Sequence, residues 1–476
     1  MKEVLTETDC GNMAKKMDGP TPWPVVGSLL GMINFKEKTL IEWAETYGTV
    51  FQLKMGSYNA VALQGYDAIH EAFVAKAKAF SGRIDSEILQ KFRNGKGLFF
   101  APYGEFWSNW RSFAKDSFSA VHKTINEGII AEAFELMKYF TANADVPVDA
   151  LPHFENATMN VVLQTCFSLR LDENSPKQRE IYNLTYDGAI SSPKFSLLLF
   201  LPWMKWMPGF CGFLRETEDE RKKCVKVILD LADQRLNEQK SSQDLVTCFY
   251  QSYQSPSEFD RESFALLVQD YLFAGTATTA NQLLWILLLL LKNAKCLKKL
   301  QEELDQTFTD VGSLIRDSAE GKDQGLNYAK AVMEEGTRLR PIAPTSNMHT
   351  TTEDTSVAGF EIKKGTVIIP NLWSVHHDKI KWAPDPETFR PERHLDDYGN
   401  FQKSDHVMPF SVGWRSCVGQ RIAESENLVY LVALVKSFDI SLAEESNDID
   451  ITGDSTTLLQ PNPFKVVFKE RFPNQV

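Results

Sequence analysis

One ten-residue stretch near the end of the chain has the composition of a loop that holds a thiolate. Residues 410–419 read Phe-Ser-Val-Gly-Trp-Arg-Ser-Cys-Val-Gly, so Cys417 lies between Gly413 and Gly419. Glycines allow the backbone to pass close to a flat cofactor because they carry no Cβ atom. Arg415, and the amides of a helix that starts just after the loop, favour an ionised sulfur. The stretch predicts a thiolate ligand at Cys417; a buried structural cysteine is the alternative.

Two pairs of side chains at helical spacing can bind carboxylates or each other. Glu335 and Arg338 are three residues apart, so on a helix they share a face and can form a charge-assisted hydrogen bond. Trp107 and Arg111 are four residues apart, which aligns an indole N–H and a guanidinium for a common carboxylate. The alternatives are a solvated surface pair for the first and ordinary packing for the second.

These residues, in this order, resemble the cytochrome P450 family. Residues 410–419 match its haem-ligand signature Phe-x-x-Gly-x-Arg-x-Cys-x-Gly, and Glu335 to Arg338 match its Glu-x-x-Arg. Residues 389–393 match the Pro-Glu-Arg element that follows in the family. The resemblance implies a mainly α fold with small β-sheets (α+β), a long central helix that crosses the haem, and haem b whose iron is ligated by Cys417.

The resemblance also assigns neighbours of the haem. Arg393 would complete a buried structural cluster with Glu335 and Arg338. Trp107 and Arg111 would bind a haem propionate, and two further propionate contacts match the family's microsomal branch. The expected cofactor-binding residues are Arg83, Trp107, Arg111, Ala274, Gly275, His349, Phe410, Gly413, Arg415 and Gly419.

A helical face between residues 264 and 282 resembles the helix that crosses the haem. Small side chains at Ala274 and Gly275 would let this helix pass close to the cofactor. The hydroxyl of Thr278 would be the catalytic group that bonds to dioxygen or to an ordered water.

Ala277 departs from the family pattern, which places an acid at this position to help relay protons. We still expect monooxygenation, because Thr278 remains and chains of water carry protons. Asp270, seven residues earlier, is a candidate substitute for the missing acid, although we expect it near the more exposed end of the helix.

The resemblance implies a substrate pocket with an apolar lining, and therefore a lipophilic substrate (a steroid, fatty acid or xenobiotic) held mostly by shape. The expected lining residues are Leu98, Phe99, Phe273, Ala274, Ile342, Ala343, Leu458 and Leu459.

Partners follow from the same resemblance. The family's cycle takes two electrons, which implies an NADPH-dependent flavoprotein reductase, with cytochrome b5 as a further donor. Lys115, Lys123 and Arg421 would form a basic docking patch, or are solvated surface. Residues 195–208 are rich in Leu, Phe, Trp and Met and include a lysine, a composition that suits a peripheral contact with a bilayer. The alternative is that this segment packs on the protein body.

Composition excludes several other classes. The 476 residues include 51 basic and 63 acidic side chains, a formal net charge of −12 that argues against a nucleic-acid partner bound through its phosphates. The seven cysteines contain no CxxC pair, so the sequence indicates neither a disulfide framework nor a zinc site.

The elements that must position the site are mainly helical. Alternating apolar and polar residues predict a β-hairpin over residues 50–63, and residues 67–340 are mostly helical in pattern. Strands return at residues 360–362 and 366–369, and a final long helix covers residues 420–438. Because the two sheet regions flank the helices, we expect them to pair within one domain.

We expect a polar leader without a membrane anchor at residues 1–18 and a single P450 haem domain at residues 19–476. Microsomal members carry a membrane helix before a proline-rich hinge. Residues 19–24 resemble that hinge. Three interpretations stay open for the expected lack of an anchor: a shortened form, an incomplete gene model, and a genuine form without an anchor. The resemblance implies the cytosolic face of the endoplasmic reticulum.

Together these features predict a haem-thiolate monooxygenase that inserts one atom of dioxygen into a lipophilic small molecule, with electrons from NADPH by way of a reductase. One alternative is a peroxide isomerase or dehydratase that needs no donor, which Ala277 favours. The other is a haem-binding or ligand-binding protein without turnover.

Overall fold

The structure is a computed structural model that describes residues 17–32, 36–173, 175–185, 190, 192–238, 243–322, 325–455 and 458–472. The first half of the described chain contains α1 (Lys36–Tyr47), β1 (Val50–Met55), β2 (Tyr58–Gln64), α2 (Gly65–His70), α3 (Glu87–Arg93), α4 (Glu105–Ala120), α5 (His122–Ala142), α6 (Leu151–Phe167), α7 (Pro176–Thr185), α8 (Pro193–Phe200) and α9 (Phe213–Asn237).

The second half contains α10 (Leu245–Ser252), α11 (Glu258–Gly275), α12 (Ala277–Leu291), α13 (Ala294–Thr307), α14 (Val311–Ala319), α15 (Asn327–Leu339), β3 (His349–Thr350), β4 (Thr355–Val357), β5 (Phe360–Ile362), β6 (Val367–Asn371), α16 (Leu372–His376), α17 (Gln420–Ser437), β7 (Phe438–Leu442) and β8 (Val466–Glu470). The predicted fold class, mainly α with small sheets, is confirmed.

The largest described sheet joins the two ends of the chain. Its strand order is β1-β2-β6-β3. β1 and β2 form the predicted hairpin, with Met55 opposite Tyr58, and β2 pairs in parallel with β6. The prediction that the two sheet regions pair is therefore confirmed. β5 pairs with β4 rather than with β6, so the turn at residues 363–365 connects two different sheets.

The core of the helical body is built around α12. Its residues Leu283–Leu290 are all buried, because a helix that is apolar all round has no face for water. α12 packs against α6, α15 and α17. Of the described helices, the α11–α12 pair is long and apolar enough by composition to cross a bilayer. However, 78% of its apolar 18-residue segment is buried inside the fold.

The predicted haem-crossing helix is interrupted at one residue. α11 ends at Gly275, α12 begins at Ala277, and Thr276 between them has φ −86° and ψ −77°. The hydroxyl of Thr158 on α6 lies 3.1 Å from the carbonyl oxygen of Thr276. The hydroxyl of Thr278 donates to the carbonyl of Ala274, a side-chain bond that often accompanies helix bending. α11 and α12 together form the predicted long helix, which bends at Thr276 where Thr158 of α6 contacts it.

The N-terminal leader lies almost entirely outside the described residues, which begin at Met17. The carbonyl of Asp18 accepts a hydrogen bond from the amide of Gln52 on β1. Gly27, after the proline-rich stretch, pairs with Met55 at the end of the same strand. The chain therefore enters the fold along the sheet.

Candidate functional site

The loop that carries Cys417 is a tight turn pressed against a distant part of the chain. The amide of Cys417 donates to the carbonyl of Phe410 at 2.9 Å, and the amide of Ser416 donates to that of Gly413 at 3.2 Å. Gly413 has φ +80°, and a Cβ atom there would lie 1.8 Å from the carbonyl oxygen of Phe73. Only glycine fits this position, because both the dihedral angle and the close approach exclude a side chain.

The surroundings of the Cys417 sulfur act on its ionisation in opposite directions, and the net effect on its pKa is a rise. Burial is the largest influence and raises the pKa of the Cys417 thiol, while the backbone amides of Gly419 and Gln420 and the guanidinium of Arg111 lower it. Arg111, rather than the predicted Arg415, is thus the cation that acts on the sulfur. Cys417 remains accessible from a groove of about 1150 Å³ that it lines together with Arg111. A desolvated, reachable sulfur of this kind is suited to a metal ion, which supplies the missing positive charge.

Three arginines meet beside this loop, and their hydrogen bonds run to neutral acceptors. Arg415 donates to the carbonyls of Ser81, Leu98 and Ala101 at 3.0, 3.2 and 2.8 Å. Arg83 donates to the carbonyls of Phe99 and Met348 at 2.9 and 3.2 Å, and Arg111 donates to that of Ser416 at 2.6 Å.

The like charges of these three arginines repel one another. Burial, followed by the charges of Arg83 and Arg111, lowers the pKa of Arg415 to about 8. Burial and the charge of Arg111 lower the pKa of Arg83 to about 9. Within the part of the chain that the structure describes, none of the three forms an ion pair with a carboxylate. The arrangement therefore calls for an anionic ligand, because buried cations without counter-charge are unfavourable.

Trp107 contributes its ring face to this arrangement. Its indole N–H donates to the carbonyl of Leu98 at 3.2 Å rather than pointing to an open site. The guanidinium carbons of Arg415 and Arg111 lie 4.0 and 5.4 Å from the centroid of its ring. The ring positions the arginines through cation–π contact, and binding of a haem propionate by the Trp107 indole stays a prediction.

His349 lies on β3 at the same edge of the site. Its Nδ1 is 2.6 Å from the carbonyl oxygen of Phe80, and its ring stacks on Phe73 at 4.4 Å. Burial, and then the charges of Arg83 and Arg415, hold the pKa of His349 well below its usual value. The imidazole is therefore neutral, with the Nδ1 proton donated to Phe80.

The structure brings Glu335, Arg338 and Arg393 together in a buried cluster. Arg338 donates from Nε and Nη2 to the two carboxylate oxygens of Glu335 at 2.7 and 2.8 Å, and Arg393 donates to Glu335 at 3.3 Å. His394 lies 3.0 Å from the same carboxylate, and the amide of Arg390 donates to it at 3.0 Å. Sequence reasoning missed His394, although its position next to Arg393 in the motif was a usable signal.

Burial of Glu335 raises its pKa, but the hydrogen bonds from Arg338 and His394 outweigh burial and leave the pKa below its usual range. The carboxylate is thus ionised and fully partnered. The cluster ties α15 to the segment that contains Arg393 and leads toward the cysteine loop.

Comparison with known proteins agrees with this geometry. A family model described as Cytochrome P450 matches residues 17–468. The chain belongs to the cytochrome P450 family. It is 30% identical to Cytochrome P450 2U1 of Bos taurus over 95% of this chain and 89% of the relative. It is 32% identical to Cytochrome P450 2C3 of Oryctolagus cuniculus over 91% of this chain and 90% of the relative. This P450 is accordingly a monooxygenase of the family kind, which binds haem b through a cysteine thiolate.

The residues of this P450 fit that cofactor. The two haem propionates would supply the negative counter-charge for the three arginines. The close approach at Gly413 and the reachable sulfur of Cys417 suit a flat ring held by a thiolate.

On the helix side, Ala274 is exposed although it lies within the fold, and Thr278 is half-buried one turn later. Gly275 packs against α6, where a Cβ atom would lie 2.8 Å from a methyl group of Val162. Ala277 is buried. Asp270 is also buried and pairs with Arg93, so the expectation that it lies at the exposed end of the helix is wrong.

The expected pocket residues of this P450 are not equally placed. Phe99 is 37% exposed, and its ring lies 6.4 Å from that of Phe273 in an edge-on arrangement. Leu98 and Ile342 are buried, while Ala343 and Leu458 are half-buried. Leu459, like Ile342, is buried in the main hydrophobic cluster, and its carbonyl accepts a hydrogen bond from the indole of Trp285 at 2.9 Å.

We expect Gly413→Ala to lose most of its haem. The new Cβ atom collides with the Phe73 carbonyl, and the left-handed backbone adds a strain of about 1–3 kcal/mol. Gly365→Ala is the matched control, because Gly365 has φ +81° and nothing within 4 Å of a Cβ atom. The haem-to-protein ratio and the thermal unfolding midpoint of both variants measure the difference. Equal haem contents would mean that the Phe73 contact does not shape the site.

Proposed function

We propose that this P450 inserts one atom of dioxygen into a lipophilic small molecule, with Cys417 as the thiolate ligand of haem b. The observation that carries the assignment is the convergence of the sulfur of Cys417 with three arginines that lack a counter-charge. A steroid, a fatty acid or a foreign compound fits the apolar character of Phe99 and Phe273. Residues 19–476 would form the haem domain.

In this proposal each residue has a separate task. Arg83, Arg111 and Arg415 bind the propionates, Trp107 orients two of these arginines, and His349 closes the edge of the site. The Glu335 cluster acts structurally. When bound, haem supplies thiolate-assisted activation of dioxygen.

Thr278 would hold a proton near the reacting centre. Its hydroxyl currently donates to the carbonyl of Ala274. Rotation about χ1 would turn that hydroxyl toward a ligand or an ordered water. Since Ala277 has no acid to offer, water would have to resupply the proton.

We expect the dithionite-reduced, carbon-monoxide-bound protein to show a strongly red-shifted Soret band, and Cys417→Ser to abolish it. The shift reports a thiolate ligand of the haem iron, and serine supplies a hydroxyl in place of the sulfur. Cys211→Ser, which alters an exposed cysteine elsewhere, is the control and should leave the spectrum unchanged. A red-shifted band that survives in Cys417→Ser would overturn the ligand assignment.

Electron delivery is proposed to occur at the groove beside Cys417. Five cationic side chains and three glutamates line it, an excess of positive charge on a chain whose formal net charge is −12. These residues are Arg111, Lys115, Lys330, Lys403, Arg421, Glu320, Glu334 and Glu424. The groove suits the acidic face of an NADPH-dependent flavoprotein reductase, and of cytochrome b5 as a further donor. Of the three predicted docking residues, Lys115 and Arg421 line the groove.

We expect Lys115→Glu to slow electron transfer from the reductase about 3–10-fold at low salt, because charges at the rim of an interface act mainly on association. Lys123→Glu is the control: Lys123 is equally exposed, pairs with Glu127 at 3.7 Å and lies outside the groove lining. Stopped-flow reduction under carbon monoxide gives both rates. If the two variants are slowed alike, docking is not centred on this groove.

A peripheral membrane contact is proposed at residues 195–208. Trp203, Trp206 and Met207 are exposed there, with Trp206 at 79%. Trp23 is exposed too, and its segment reaches the same region through the hairpin turn, where the amide of Ser57 donates to the carbonyl of Phe200. Aromatic side chains of this kind favour the bilayer interface. We infer that this surface faces the cytosolic side of the endoplasmic reticulum membrane.

A second candidate activity is favoured by Ala277. In a peroxide isomerase or dehydratase the substrate itself supplies the oxygen atoms, and fewer protons have to be delivered to the active site. A buried alanine at residue 277 would therefore not slow such a reaction. Turnover of a lipid hydroperoxide without any electron donor would support this activity.

We expect Ala277→Glu to raise the yield of product per NADPH consumed if monooxygenation is the native reaction. The new carboxyl would restore a proton-relaying group beside Thr278. Ala277→Gln, which adds similar bulk without an acid, is the matched control. An unchanged yield in both variants, together with donor-free turnover of the hydroperoxide by the unmodified protein, would favour the second candidate.

A further inference from the structure

Another cavity lies apart from the groove beside Cys417. It has a volume of about 540 Å³, and its lining comes from residues 381–383, which follow α16, from residues within 390–394, and from residues 402–406. Lys403 lines both the cavity and the groove. The cavity is termed the cationic pocket because basic side chains dominate its charge.

The charges on the lining of the cationic pocket do not balance. Four basic side chains and one carboxylate line it. They are Lys381, Arg390, Arg393, Lys403 and Asp405. Because the whole chain has a formal net charge of −12, this excess of positive charge is a local feature and not a general property of the surface.

Two of the four cations have carboxylate partners that lie outside the lining. Nε of Arg393 donates to Glu335 at 3.3 Å, and Lys403 donates to Glu424 at 3.0 Å. Glu335 also accepts from Arg338, so one carboxylate is shared between two guanidiniums. The region behind the pocket therefore retains positive charge.

The other two cations, Lys381 and Arg390, form no ion pair with any residue that the structure describes. Arg390 is half-buried. Burial lowers the pKa of Arg393, Glu335 acts in the opposite direction, and the charge of Arg390 lowers that pKa further. Burial, and then the charge of Lys381, lower the pKa of His406, although nearby carboxylates oppose them. Both unpaired cations thus act on other residues of the same lining, which calls for an anion among them.

A diphosphate group matches these donors. The guanidinium of Arg390 offers paired N–H groups to phosphate oxygens, and the ammonium of Lys381 supplies a compact charge. The volume lies within the range of small-molecule sites, about 300–1,000 Å³, so the pocket has room for a nucleotide. Trp382 and His406 also belong to the lining and would present rings to a base.

Two parts of the lining continue into the framework of the haem site. Arg393 belongs to the Glu335 cluster, which ties it to α15. Residues 402–406 lead into the cysteine loop, and the ring of His406 stacks on Tyr66 at 4.2 Å. An anion between these segments would offset the repulsion of their positive charges, and its binding would stabilise the folded state.

We propose that the cationic pocket binds an anion with a diphosphate group, either free pyrophosphate or the end of a nucleotide, and that Arg390 and Lys381 bind its phosphate oxygens. This inference goes beyond the proposed function, because the pocket is separate from the haem site and its ligand takes no part in oxygen insertion.

The test is calorimetric titration of the haem-loaded protein with pyrophosphate, and separately with ADP, at constant ionic strength so that general screening does not change. We expect saturable binding and a higher thermal unfolding midpoint. Arg390→Gln should weaken binding about tenfold, since hydrogen bonds to charged groups amount to a decade or more in affinity. The variant keeps the Arg390 backbone amide that donates to Glu335, so the buried cluster is preserved.

Lys379→Gln is the matched control. It removes an exposed cation two residues before Lys381 that lies outside the lining, and it should leave both dissociation constants unchanged. Lys381→Gln is a second variant at an exposed position, where a folding defect is not expected, and it should weaken binding about threefold. Equal weakening in the control and in Arg390→Gln overturns the proposal, because binding would then follow surface charge in general.

The two ligands distinguish the sources of the diphosphate. Tighter binding of ADP assigns the pocket to a nucleotide, and tighter binding of pyrophosphate assigns it to the free anion. Absence of saturable binding of either at about 1 mM overturns the proposal. So does slower reduction of Arg390→Gln by the flavoprotein reductase with unchanged anion binding, since the pocket would then extend the docking groove through Lys403.

Discussion

The repulsion among Arg83, Arg111 and Arg415 is the constraint on which the rest of the site depends. Two of these side chains are buried, and their partners are carbonyl oxygens, which solvate a charge without cancelling it. Burial of uncompensated charge costs several kcal/mol per ion. That cost is a large share of the free energy of unfolding of a typical domain. The polypeptide alone does not balance this cost, so the folded state and the cofactor are thermodynamically linked.

The surrounding elements keep the three guanidiniums close in spite of their repulsion. The carbonyls come from residues 81–101, from residue 348 and from Ser416 in the cysteine loop, and the ring of Trp107 lies against two of the cations. The Cys417 loop is pressed against Phe73 by the requirement for glycine at residue 413. The rigid Glu335 cluster ties α15 to the segment that leads to this loop. Preorganisation of this kind places charge and sulfur before any ligand arrives.

Motifs of local geometry could be predicted from the sequence, and contacts between distant segments could not. The pair Glu335–Arg338 and the hairpin predicted at residues 50–63 depend on spacing alone, and both form, with the second strand of the hairpin ending at Gln64. The identity of the cation next to Cys417 depends on how α4 docks on the loop 305 residues later, and the sequence favoured Arg415 over Arg111. The bend at Thr276 within the predicted long helix could not be located from the sequence, since the contact there comes from Thr158 on α6.

The contact between Arg415 and Ser81 also constrains the order in which the protein matures. These residues are 334 positions apart, and β2 and β6 likewise pair across most of the chain. During synthesis the first hundred residues emerge long before the cysteine loop, so the carbonyls that await Arg415 and the ring face of Trp107 exist for some time without their partner. Contacts of such sequence separation form late because loop closure is entropically costly. The site that holds Cys417 and Arg415 can therefore be complete only after residues on both sides of the helical body have been synthesised.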